Sequence, residues 1–137
     1  MVSTERAAAV VREYYDALRD GAPLEPYFLR DESTVKFGIS DSLFGGADVA
    51  TALAEQTETT DNWTIESRHL VVTERNGFAT FADEVTMAWT DTDGGDRNRF
   101  DSRWSGTLID RSADASGRNG GPNWQFAQMH VSAPHEL

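Results

Sequence analysis

Apolar side chains recur at helical spacing near the N-terminus, where Ala7, Val10, Val11, Tyr14, Tyr15 and Leu18 share one stripe. Ser3 stands where an N-cap would, Glu5 suits the first turn, and Gly21 followed by Pro23 supplies a stop, so the pattern predicts a helix from Thr4 to Asp20. Residues 23–29 are short and proline-marked, which predicts a single turn or short helix carrying Tyr27, Phe28 and Leu29 as a lid over the core. A short strand is expected over 33–38, and Gly45-Gly46 precedes a second helix over 47–57. That glycine pair could cradle a phosphate or make a plain turn, and two glycines alone favour the turn. From Trp63 onward the period becomes two, predicting strands over 64–74, 78–90, 99–110 and 124–132. Asn76-Gly77, Asp93 to Asp96 and Ser116 to Pro122 carry the turn chemistry between them.

With no internal repeat and no heptads, the pattern describes one domain over 1–137. A meander of this size cannot leave both faces wet, and the amphipathic helices need a surface to cover. The expected fold class is therefore α+β: a cone-shaped roll, with N-terminal helices packed on a strongly curved antiparallel or mixed sheet. Such a roll leaves a conical cavity whose mouth suits a small organic ligand.

Composition narrows the classes. There is no cysteine, so disulfides and thiolate chemistry are excluded, and no apolar run is long enough for a membrane span. The start lacks the basic and apolar regions of a signal peptide, so a cytoplasmic protein is expected. The net charge of -11 comes from 23 acids against 12 bases, and eleven of those bases are Arg, leaving Lys36 as the single lysine. This acidic, lysine-poor pattern fits a halophilic protein kept soluble in concentrated salt; a moderately acidic protein of ordinary salt is the alternative. Either way an acidic surface repels phosphate backbones, and no nucleic-acid partner is expected.

Several side chains could carry chemistry. Regular alternation puts Trp124, Phe126, Gln128, His130 and Ser132 on one strand face, apolar and polar together, as a pocket wall would be. His130 is the leading catalytic candidate because imidazole titrates near neutrality, the alternative being a wall histidine that only holds shape. On the preceding strand Arg103, Ser105 and Thr107 share one face and Phe100, Trp104 and Leu108 the other. Either Arg103 enters the cavity, to hold a carboxylate or enolate, or Trp104 packs inside and Arg103 meets water. Asp83 is the lone charge among Phe81, Val85, Met87 and Trp89, so it is paired with Arg103 in a structural bridge, paired with His130 as acid and base, or turned to the surface by a bulge. Metal binding is not expected from His69, His130 and His135 alone, since the last two straddle Pro134, and no cofactor fingerprint is present.

Taken together, Ala8-Ala-Val-Val-Arg-Glu-Tyr-Tyr-Asp-Ala-Leu-Arg-Asp-Gly21, Arg30-Asp-Glu-Ser-Thr-Val35, the Phe44-Gly-Gly46 step and the Trp124 to Pro134 segment resemble the SnoaL-like branch of the nuclear transport factor 2-like superfamily, which includes ketosteroid isomerases and polyketide cyclases. The resemblance implies a cone of about three helices and a bent sheet, and a homodimer through the outer sheet face. It implies that His130 faces the cavity and favours Arg103 doing so. Tyr14 matches the position of the isomerases' oxyanion-donating tyrosine, whereas their general base falls on Phe37, which moves no proton; steroid-type isomerisation is disfavoured. Asp101 and Ser105 both lie near the place of a third, protonated acid. The reading is a small-molecule-binding protein, and if an enzyme then an isomerase, cyclase or hydratase acting next to a carbonyl. Its pocket comprises Tyr14, Phe37, Met87, Trp89, Arg103, Ser105, Gln128 and His130, with His130 and Asp83 as catalytic candidates. The alternative is a non-catalytic homodimeric module with a vestigial cavity.

Overall fold

The computed structural model describes residues 6–112 and 122–135, so the expected Ser3 cap and most of the 116–122 connection lie outside the described residues. Helix α1 spans Ala7–Asp20 and buries Ala7, Val10, Val11, Tyr14, Tyr15, Ala17 and Leu18, the stripe read from the sequence. Its N-cap position is Arg6, which makes no side-chain cap; instead the Ala7 N–H donates to the Glu74 carboxylate at 2.7 Å, placing negative charge at the positive end of the helix. Gly21 ends the helix at φ 67°, a left-handed conformation that glycine adopts without penalty. A 3₁₀ turn, Glu25–Tyr27, follows in place of a longer helix.

Strands β1 (Val35–Phe37) and β2 (Ser42–Phe44) form a hairpin that leads into α2 (Gly46–Thr59). The remaining strands are β3 (Thr60–Ser67), β4 (Val71–Glu74), β5 (Phe78–Asp91), β6 (Arg97–Asp110) and β7 (Trp124–Ser132). β2 had no sequence signal, and the strand expected over 64–74 is two strands. The chain breaks at 68–70, where the His69 N–H turns to the Asp83 carboxylate and the Arg68 N–H to the Glu84 carbonyl. One seven-stranded sheet runs β2-β1-β7-β6-β5-β3, with β4 also on β5. β1 and β7 are parallel and the other pairs antiparallel, so the fold is an α+β roll on a mixed sheet. β4 pairs with residues 79–82 of β5 and β3 with residues 85–91, so one 14-residue strand borders two shorter ones along the same edge.

The inner face of the sheet is built from Phe81, Val85 and Met87 of β5 with Ser102, Trp104 and Leu108 of β6, all buried. α1 closes over this face, and Tyr14 meets Tyr27, Phe28, Trp104 and Phe126 edge-to-face at centroid distances of 5.3 to 6.4 Å. Such aromatic contacts add about 1 kcal/mol apiece to the burial itself.

The alternation expected along β7 does not hold. Thr107 faces Gln128 while Leu108 faces Phe126, so Ala127 is an extra residue opposed to none, a β-bulge. Trp124 and Phe126 are buried before the bulge, and Met129 and Val131 after it. One inserted residue reverses the faces of everything downstream. Gly106 stands beside the bulge, where a Cβ would collide with the Gln128 carbonyl oxygen and lie 2.9 Å from the Phe81 ring, so the close approach requires glycine.

Candidate functional site

A cavity of about 350 Å³ opens between the helices and the inner face of the sheet. Tyr14 and Leu18 of α1, Lys36 of β1, Gln56 of α2, Trp63 of β3, Met87 and Trp89 of β5, Trp104 of β6 and Met129 of β7 line it, with Asp41 and Glu55 also on the wall. Its volume lies at the small end of ordinary ligand pockets, about 300 to 1,000 Å³. Trp63 and Trp89 stack at 4.8 Å between centroids, and Trp89 stacks in turn on Phe100 at 5.6 Å. The indole N–H of Trp63 is held by Thr60 Oγ1 at 2.8 Å and that of Trp89 by Asp91 Oδ1 at 3.1 Å, which fixes both rings as a flat apolar wall.

Two polar heads interrupt that wall. Tyr14 is 2% exposed and Lys36 8% exposed. Neither the phenol nor the amine makes a hydrogen bond or ion pair among the described residues, yet no side-chain nitrogen or oxygen there is sealed without a partner. Both heads therefore look into the cavity. Burial pushes the Tyr14 phenol well above its ordinary range, so it stays a hydrogen-bond donor at any physiological pH. Burial also holds the Lys36 amine below its ordinary range, and the Asp41 carboxylate offsets only part of this. Asp41 is itself fixed by the Gly38 N–H, which donates to its Oδ1 at 3.1 Å and to its carbonyl at 3.0 Å.

The residues expected to line the pocket divide between the two faces of the sheet. Tyr14, Met87 and Trp89 line the cavity. Phe37, Arg103, Ser105, Gln128 and His130 do not; they stand on the outer face. His130 is exposed and lies against Phe37 at 5.7 Å between ring centroids, because the bulge turned it away from the core. Arg103 is exposed because Trp104 takes the inner position, where the indole N–H donates to Ser102 Oγ at 2.9 Å and that hydroxyl donates to the Val85 carbonyl at 2.6 Å. A tryptophan whose polar atom is so satisfied buries well. Asp101 and Ser105 are likewise exposed.

Asp83 is buried, as its strand face required, but it pairs with neither Arg103 nor His130. Tyr15 Oη donates to its Oδ2 at 2.9 Å, Ser67 Oγ to the same oxygen at 2.6 Å, and the His69 N–H to Oδ1 at 2.9 Å. The carboxylate ties α1, the end of β3 and the start of β4 together, a structural task. Its charge, together with burial, raises the Tyr15 phenol.

Lys36 is the residue that sequence reasoning missed. Phe37 had been matched to the isomerases' general-base position, but β1 turns Lys36 inward and Phe37 outward, so the group that β1 offers to the cone is an amine. A signal was present: the single lysine of the chain sits between Val35 and Phe37 on a predicted strand.

No known family model matches the sequence, and no curated protein matches it. Solved structures do. A nuclear transport factor 2-like superfamily protein from Salmonella enterica superimposes with a TM-score of 0.75 at 13% identity, covering 94% of this chain and 89% of that one. A protein provisionally named a scytalone dehydratase, from Novosphingobium aromaticivorans, reaches 0.72 at 12% identity over 93% and 81%. One provisionally named a calcium/calmodulin-dependent protein kinase II association domain, from Xanthomonas campestris, reaches 0.71 at 16% identity over 100% and 91%. The bent sheet, the helices laid across it and the hollow between them are the nuclear transport factor 2-like fold, and this chain has that fold.

Proposed function

We propose that the protein, read as a SnoaL-like member of this fold, binds a small uncharged organic molecule in the cone and acts on it beside a carbonyl, by proton transfer or by addition or removal of water. The observation that carries this reading is the pair of partnerless heads, Tyr14 Oη and Lys36 Nζ, set in one aromatic cavity. A polar head that opens into a cavity and meets no partner on the wall is placed to meet whatever occupies that cavity. A phenol that stays protonated can donate to a carbonyl or enolate oxygen, and an amine of depressed basicity more readily offers its lone pair to a proton or an electrophile than a solvated lysine does. Lys36, not Arg103, is the basic side chain that reaches the cavity. Structures of the same fold with provisional dehydratase and isomerase names agree with this chemistry.

A homodimer through the outer sheet face belongs to the same proposal. Phe44 is 62% exposed there, beside Phe37 and His130. The outward Arg103 favours the second reading, a non-catalytic assembly module, since a ligand-handling role had been expected to turn it inward.

Tryptophan fluorescence distinguishes the two. Titration with 2-naphthol and acetophenone is expected to quench emission saturably, because Trp63, Trp89 and Trp104 all line the cavity. Ala52→Phe, which fills the cavity from α2, is expected to weaken binding at least tenfold. Absence of saturable quenching, or equal affinity in the filled variant, returns the assembly reading.

A further inference from the structure

Every other basic residue of this chain is arginine, and the one lysine is the one buried in the cavity. Surface arginines serve solubility and ion pairing and never lose their charge, whereas an amine can become neutral and nucleophilic. The position of Lys36 thus separates it from charge display. Its Nζ makes no ion pair or hydrogen bond among the described residues and opens onto the space enclosed by the Trp63 and Trp89 stack, Met87 and the Tyr14 phenol. The titratable groups facing it are Tyr14 from α1, Asp41 from the β1–β2 turn and Glu55 from α2. The two carboxylates repel anionic guests, and the aromatic wall selects flat apolar ones.

We propose that Lys36 forms a covalent imine with an uncharged aromatic aldehyde or ketone held in the cone. This rests on the reading of the cone as a ligand site and names its substrate class. Neutral Nζ attacks the carbonyl carbon, the C–N bond forms, and the carbonyl oxygen takes a proton to give a carbinolamine. That hydroxyl is protonated again and leaves as water while nitrogen surrenders its second proton, so amine plus carbonyl yields imine plus one water, with no redox partner. Tyr14, a permanent donor on the same wall, is the group placed to polarise the carbonyl oxygen. Burial holds the amine below its ordinary basicity, which favours the neutral, nucleophilic form relative to a solvated lysine.

Borohydride trapping tests this on the full chain, because digestion separates the peptide of the single lysine from the chain's α-amino group. The protein is incubated with benzaldehyde at neutral pH beside Nα-acetyl-lysine in the same tube, reduced, digested and weighed. The expected result is a benzyl adduct on the Lys36 peptide, formed at least tenfold faster than on the free amino acid and suppressed by 2-naphthol. Lys36→Arg, which replaces the amine by a guanidinium that forms no imine, is expected to keep the wild-type far-ultraviolet spectrum and take no adduct at position 36. If 2-naphthol binds the wild type and Lys36 stays unlabelled, or labels no faster than the free amine, the imine is overturned and the cone reading stands. If neither 2-naphthol binding nor labelling occurs, both fall. Labelling that 2-naphthol leaves untouched also overturns the proposal, because the amine then reacts outside the ligand site.

Discussion

A buried amine has consequences for stability whether or not it meets a ligand. The Lys36 amine is held below its ordinary 10.5 in the folded chain by loss of water, while in the unfolded chain it keeps its proton up to that value. Between the folded value and 10.5 the unfolded state therefore binds more protons, and stability rises with pH across that window. The window closes near pH 10, where Tyr14 and Tyr15, raised in the folded state, begin to act in the opposite sense. Lys36→Met keeps the length of the side chain and removes the charge. The variant is expected to be at least as stable as wild type at pH 7 and to lose the wild type's upward slope toward pH 9.5, checked by urea midpoints at each pH. A wild-type slope no steeper than the variant's would show that the amine keeps its ordinary basicity in the folded chain and is well solvated there. Tyr14, Met87 and Trp89 turn inward as the periods of the helix and strand that carry them imply. The inward turn of Lys36 was not legible in the sequence, since a three-residue strand is too short for alternation to reveal which neighbour turns inward.

At the level of the element, one extra residue in β7 governs what the sheet presents to each side. Strict alternation assigned His130 and Gln128 to the same face as Phe126. The bulge at Ala127 instead hands Met129 and Val131 to the core and leaves His130 outside. No local propensity marks Ala127 as the extra residue; the cue sits in the partner strand, where Gly106 leaves room for the Gln128 carbonyl. Gly106→Ala is expected to destabilise the fold by about 2 kcal/mol through that collision. Its denaturation midpoint should fall while the far-ultraviolet spectrum is retained, and an unchanged midpoint would mean that β7 yields without cost. The same packing explains β6. Trp104 could go inside because Ser102 accepts its N–H, a relation between residues two apart whose value depends on the Val85 carbonyl across the sheet.

Across the whole molecule, an excess of 11 negative charges opposes compaction. The ion pairs Arg6–Glu74, Arg19–Asp16 and Arg99–Asp101 are largely exposed and contribute little each. Salt shortens the screening distance from about 10 Å at 0.1 M to about 3 Å at 1 M, which relieves repulsion among acids and also weakens those pairs. Repulsion dominates at this charge, so the melting temperature is expected to climb steadily from dilute buffer to molar KCl; a flat or falling series removes the halophilic reading. Helix α1, the alternation along β5 and β6, the turn at Gly77 and the α+β roll were determined by the sequence alone, because they follow from local spacing and from the need to cover one face of a sheet. The faces taken by Lys36, Arg103 and His130 were decided only by tertiary structure. A bulge, a glycine and a serine in neighbouring strands set that orientation, and together they left the lysine of β1 inside and the histidine of β7 out.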